Sequence, residues 1–168
     1  MAKLRPRRDD AAALYSHLVA EARRPGWYTA GGVPDTIDGR FRVLATLAAL
    51  ATLRLEAGDE AAVRHSVRLT EAFVDDMEAQ LREAGIGDPT VGKRVRALVG
   101  SLAKRVDLWR PVLAEEQRPG FAEAVRASLY PDEAPGEAAE TFAGEELRRL
   151  HEGLDGISDR NLIEGRIG

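Results

Sequence analysis

The stretch Val43–Leu53, VLATLAALATL, constrains this chain more than any other: eleven uncharged residues lie between Arg42 and Arg54. A half-exposed strand would alternate, and a surface helix would carry a polar face opposite its apolar stripe. This run is apolar nearly all round, as a helix buried among other helices must be. It is too short to span a bilayer, which takes about 20 apolar residues. Elsewhere period 3.6 recurs and no alternation lasts long enough for a strand, so the predicted class is all-α. The chain has 168 residues, 44% of them hydrophobic and 31% charged, which suits one globular domain with one core.

The other segments are read around that central helix. A first helix is predicted from a cap at Asp9 or Asp10; it buries Leu14, Tyr15, Leu18, Val19 and Ala22 and stops before Pro25-Gly26. The central helix follows the next loop and runs to about Ala57, where Gly58-Asp59 ends it and caps a third helix over Glu60 to Ala84. In that helix Val63, Val67, Val74, Met77 and Leu81 recur at helical spacings and form the expected core face. In GIGDP, Gly85 suits a left-handed C-terminal position, Asp88 the next cap and Pro89 a first helical turn. The fourth helix places Val91, Val95, Leu98, Leu102, Val106 and Trp109 on one face, with Pro111 near its end. A fifth is expected from Gly120 to Leu129 and a sixth from Ala138 to Leu154. The architecture predicted is a single compact bundle of about six helices over residues 1–154, with 155–168 a loose tail. The string IEGR (163–166) resembles a protease-processing site and carries no weight in this reading.

Charge and composition exclude several classes. There is no cysteine, hence no disulfide framework and no thiolate metal site. The basic start MAKLRPRRDD is followed only by short apolar stretches, so no secretory signal is expected. A cytoplasmic protein, at most peripheral to an inner membrane, is the prediction. The net charge of −4 conceals an acidic block: Asp132 to Asp159 holds nine acids against Arg148 and Arg149. His17, His65 and His151 lack the spacing of a di-iron bundle or a zinc protease and read as solvated residues. No Gly-x-Ser-x-Gly elbow occurs. GIGDPTVGKR has Arg94 where a phosphate loop needs a hydroxyl, and no strand precedes it. No enzyme, metal, cofactor or specific nucleic acid is therefore expected.

The candidate functional residues begin with the loop GGVPDTIDGRF, Gly31 to Phe41. Asp35 or Thr36 can cap the central helix, Asp38 suits the positive end of its dipole, and Pro34 stiffens the approach. Gly39 and Arg40 are harder to explain, because glycine costs up to about 1 kcal/mol in a helix and a cation meets the wrong end of the dipole. The same tension recurs at the fourth helix, where Gly92, Lys93 and Arg94 stand in the first turn. Two such starts suggest close backbone approach and a shared acidic counterpart among Asp75, Asp76, Glu78 and Glu83. That counterpart is either an internal ion-pair network or part of a surface that recognises a partner.

GVPDTIDGRF (32–41), DMEAQLREAGIGD (76–88) and VGKR (91–94), in this order and spacing, resemble the ubiquinol–cytochrome c chaperone family over about Trp27 to Trp109. Glu78, Leu47, Lys104 and Trp109 depart from the family's usual aspartate, histidine, glycine and tyrosine. The resemblance implies an all-helical, non-enzymatic assembly factor of ubiquinol–cytochrome c reductase. It implies a bacterial member of the family, newly made cytochrome b as the family's client, and a small partner subunit as a further partner. The residues expected to meet a partner are Val33, Pro34, Asp35, Thr36, Gly39, Arg40 and Phe41 in the loop, with Asp76, Arg82, Glu83, Asp88, Lys93 and Arg94. Lys93, Arg96 and Lys104 form a basic stripe that suits a ribosome or an anionic membrane surface, unless the acidic C-terminal segment covers it. The rival expectation is a helical carrier holding a lipid or quinone in a cavity lined by Ala45, Ala48, Ala49 and Ala51.

Overall fold

The central helix organises the fold. In a computed structural model, which describes residues 11–114 and 120–167, it is α2 (Ile37–Glu56). α1 (Ala12–Ala22), α3 (Glu60–Glu83), α4 (Asp88–Ala114), α5 (Phe121–Leu129) and α6 (Glu137–Asp155) follow the order read from the sequence, and a short α7 (Asp159–Ile163) is added. There is no strand among the described residues. The cap expected at Asp9 or Asp10 lies outside the described residues.

α2 packs against α1, α3, α4, α5 and α6, and its residues from Val43 to Leu53 are all buried. Two of them are polar, and each is satisfied within its own helix: the Thr46 and Thr52 hydroxyls donate to the Arg42 and Ala48 carbonyls at 2.7 and 2.8 Å. Ala45, Ala48, Ala49 and Ala51 are fully covered by neighbouring helices. They line neither the groove between α1 and α3 nor that between α1 and α6, and their small size serves close helix approach.

The helix boundaries follow local chemistry. Thr36 caps α2, its hydroxyl accepting from the Gly39 N–H at 3.0 Å, and Asp59 caps α3 by accepting from Ala62 N–H at 2.9 Å. Gly85 ends α3 with φ +80°, and the Ile86 N–H donates back to the Leu81 carbonyl at 3.2 Å. On α4 the expected face is buried, with Leu98 half-buried. Trp109 packs edge-on to Phe121 at 5.1 Å and donates its indole N–H to the Ser128 hydroxyl at 2.8 Å.

Three expectations fail. On α3 the buried residues are Ala62, His65, Ser66, Leu69, Phe73 and Met77, whereas Val63 and Val67 are 43% and 58% exposed. The valine stripe is rotated by one residue, about 100°, from the face that Leu69 and Phe73 turn inward. The small Ala62 and Ser66 suit a helix that must approach both α2 and α7. Next, His65 and His151 are buried, not solvated, and His151 Nε2 lies 3.2 Å from an Asp155 carboxylate oxygen. Last, the C-terminal tail is not loose between Asp159 and Ile163. Ser158 caps α7, Leu162 is fully buried, and Arg54 fastens the segment. The Arg54 guanidinium donates to the Leu154 and Ile157 carbonyls at 3.1 and 2.7 Å and to Asp159 at 2.7 Å. The other Asp159 oxygen accepts from the Asp59 N–H at 3.0 Å.

Candidate functional site

The loop into α2 is a wound turn whose interior is set by contacts to its own backbone. A 3-10 turn over Pro25–Trp27 buries Trp27, whose indole N–H donates to the Glu21 carbonyl at 2.9 Å. Gly31 and Val33 donate to the Gly26 and Trp27 carbonyls at 2.8 and 3.0 Å, and the Tyr130 hydroxyl donates to the Gly31 carbonyl. Burial pushes the Tyr130 phenol up to about 12, so it stays a donor. Val33 is buried, and Phe41 packs on Phe73 at 5.9 Å between ring centres.

Gly39 is explained by this geometry. A Cβ there would lie 1.8 Å from the Pro34 carbonyl oxygen, so no other residue fits while the loop doubles back over the helix start. Arg40 is explained as well: it pairs with Asp35 at 2.8 Å and lies 5.9 Å from the centre of the Tyr28 ring. That pairing holds the Arg40 guanidinium above its ordinary value. Gly92 differs from Gly39, because a Cβ there would meet nothing within 4 Å. Close backbone approach therefore holds at one helix start and not at the other.

The motif residues do not converge on one ion-pair network. Asp76 accepts from the Tyr15 hydroxyl and ties α3 to α1; burial, with Asp76 behind it, raises the Tyr15 phenol well above its usual range. Arg82 pairs with Asp88 across the α3–α4 turn. Glu83, Lys93 and Arg94 are exposed and make no ion pair among the described residues. Distance explains the separation. The Phe41–Phe73 contact lies ten residues before Glu83, so about 15 Å of α3 extends beyond it at 1.5 Å per residue. Val91 and Val95 are buried but lie outside the main core cluster, so the hairpin tip is held by its own contacts.

The predicted partner residues thus form two surfaces. One is the outer side of the α2 turn: Pro34, Asp35, Thr36 and Arg40, around an Ile37 that is 86% exposed. Val33, Gly39 and Phe41 support it from beneath. The other is the hairpin tip with Arg82, Glu83, Asp88, Lys93 and Arg94, while Asp76 belongs to the α1–α3 contact.

The acidic C-terminal segment does not cover the basic stripe of α4. Its carboxylates pair elsewhere: Asp132 with Arg42 at 2.8 Å, Glu140 with Arg126 at 2.9 Å, and Glu146 with Arg24 and Arg149 at 3.0 and 2.9 Å. No group of three or more His, Asp or Glu able to hold a metal occurs among the described residues. No described helix is long and apolar enough to cross a membrane.

A model of the family described as ubiquinol–cytochrome C chaperone matches residues 29–167, which includes both surfaces. The chain belongs to the ubiquinol–cytochrome c chaperone family. It is similar to the crystal structure of the Cbp3 homolog from Brucella abortus, at 29% identity and a TM-score of 0.76, over 92% of this chain and 85% of that one. No curated protein matches it. Membership makes this chaperone a non-enzymatic factor in assembly of the ubiquinol–cytochrome c reductase.

One charged residue escaped the sequence reading. Arg105 is buried beneath the chaperone's α2 turn, with its guanidinium 5.9 Å from the centre of the Phe41 ring. A signal for it exists, since Arg105 falls at helical spacing between Leu98, Leu102 and Trp109, in the middle of an otherwise apolar stripe.

Proposed function

We propose that this chaperone holds newly made cytochrome b by non-covalent contact while ubiquinol–cytochrome c reductase is assembled. Ile37 is the observation that carries the reading. An isoleucine that is 86% exposed stands at the centre of the motif that most resembles the family, on a turn whose inner residues are fully committed to the fold. A large apolar side chain presented on a rigid turn and ringed by Asp35, Arg40 and Asp38 has the composition of a protein-contact site. The hairpin tip supplies a second contact, and its unpaired Lys93 and Arg94, continued by Arg96 and Lys104, suit an anionic surface such as the ribosome or the inner membrane. A small partner subunit is part of the same reading, and the chaperone works on the cytoplasmic side.

Photocrosslinking in the native host during membrane-protein synthesis tests this. Probes replace Arg40 and Lys93, with Arg64 on the opposite half of α3 as control. Capture of cytochrome b from the first two positions only is the expected result. No capture, together with unchanged cytochrome b levels on deletion, overturns the reading and leaves the α2 turn as architecture alone.

A further inference from the structure

Arg105 is 9% exposed, and no carboxylate pairs with it among the described residues. Its terminal nitrogens donate to the Ser101 carbonyl and hydroxyl at 3.2 and 2.5 Å and to the Ser128 carbonyl at 2.7 Å, while its Nε–H has no acceptor. Most other buried or half-buried charges here are matched: Glu146 has two arginines, and Arg54 has Asp159. Arg105 instead feels the repulsion of a second cation, Arg42. Burial first, and then Arg42, push its guanidinium down to about 10. Arg42 is itself bonded to Asp132, which is 79% exposed. A buried cation held among neutral acceptors and repelled by another cation is costly to keep.

Its surroundings are those of an unfinished interface. Leu98, Ser101, Arg105 and Leu108 recur at intervals of three, four and three, so they share one face of α4. Leu108 is 36% exposed, and across the Phe41 ring the strongly exposed Ile37 stands one turn before Phe41 on α2. Leu108 lies one turn from Arg105 on α4 and Ile37 one turn from Phe41 on α2, so each element that meets at the Arg105–Phe41 contact carries an exposed apolar side chain of the kind found in protein contacts. A groove between α1 and α3 and another between α1 and α6 include neither Arg42 nor Arg105.

We propose that Arg105 anchors a carboxylate presented by an acidic segment of a partner protein, with Arg42 contributing charge, and that the segment's apolar neighbours cover Ile37 and Leu108. This deepens the chaperone reading and rests on it.

The test is a photocrosslinking residue at Leu108, in the full chain and the native host during membrane-protein synthesis, with the captured segment sequenced by mass spectrometry. The expected segment carries an aspartate or glutamate close to the crosslink. Capture should fall about tenfold or more in Arg105→Met and Arg42→Gln, and equally when that acid is changed to its amide. Should Arg105→Met not fold, Arg42→Gln and Ile37→Asp decide, since both positions reach the surface. A captured segment without a carboxylate, or capture unchanged in those two variants, overturns the anchor. Capture of cytochrome b from Arg40 or Lys93 with none from Leu108 overturns it too, and leaves the chaperone reading standing. No capture from any position and unchanged cytochrome b on deletion overturn both. Finally, if inorganic phosphate raises the thermal midpoint of the wild type but not of Arg105→Met, and no acidic segment is captured, the occupant is a free anion and the protein-partner proposal fails.

Discussion

Adding one methyl group at Gly39 places a carbon 1.8 Å from the Pro34 carbonyl oxygen, whereas the same change at Gly92 meets open space. Both glycines looked alike in the sequence, each beside cations in a first helical turn, yet only one is required by the fold. Gly39→Ala should therefore destabilise the protein by at least about 1–3 kcal/mol, because the loop must unwind to admit the Cβ. Gly92→Ala should be neutral or stabilise by up to about 1 kcal/mol, since alanine is the better helix former. Urea unfolding of the two variants checks both signs. Arg40 was legible as an anomaly, and its answer lies five residues upstream at Asp35. Arg105 escaped the sequence reading, although its signal, a charge within the apolar stripe of α4, was present. Nor does the sequence show that no carboxylate among the described residues pairs with it.

At the scale of elements, α3 gives the clearest lesson. Its valines advertise one face and its packing uses another, because Val63 and Val67 stand roughly a quarter-turn from the line through Leu69 and Phe73. Replacing Val67 with threonine should change stability by no more than about 0.5 kcal/mol, while Leu69→Ala should cost about 2–5 kcal/mol; thermal or urea midpoints distinguish them. α7 is the element the sequence missed. Its signals were a serine cap, the pair Leu162-Ile163 and an arginine at the end of α2, none of which points to the others along the chain. Arg54 holds Asp159 below its usual carboxylate range, first by hydrogen bonding and with help from the Asp59 N–H. A depressed carboxyl contributes stability that is present above its unfolded value and is lost as pH falls through the folded one. Hydrogen-exchange protection of the α7 amides should thus decline as pH drops below about 4 in the wild type. Asp159→Asn should start with weaker protection and lack that acid-dependent step.

Over the whole molecule, stability is uneven in a way that bears on function. α2 is enclosed by five helices, while the α3–α4 tip reaches about 15 Å past the Phe41–Phe73 contact and relies on Val91 and Val95. Amides in the middle of α2 should exchange only through global unfolding, and those of residues 78–94 through local opening at lower free energy; exchange followed by mass spectrometry under native conditions separates the two. Uniform protection along α3 and α4 would contradict the view of a separately held tip. A client contact that joins the rigid α2 turn to a more yielding hairpin combines a fixed anchor with an adjustable arm.

The sequence alone determined the all-α class, the buried α2, the cap at Asp59, the α3–α4 turn and the family motif, and it narrowed the α2 cap to Asp35 or Thr36. Each of these depends on periodicity or on chemistry within a few residues, and such short-range rules can be read along a chain. Only the tertiary structure decided which face of α3 is inside and that the C-terminal tail docks through Arg54. It also separated the motif charges into a turn and a distant tip, and it left Arg105 buried without a carboxylate partner among the described residues. Those outcomes depend on which residues meet across long stretches of sequence, 32 positions for Phe41 and Phe73 and 105 for Arg54 and Asp159, where packing volume and the location of counter-charges, rather than local propensity, select among patterns that look equally good.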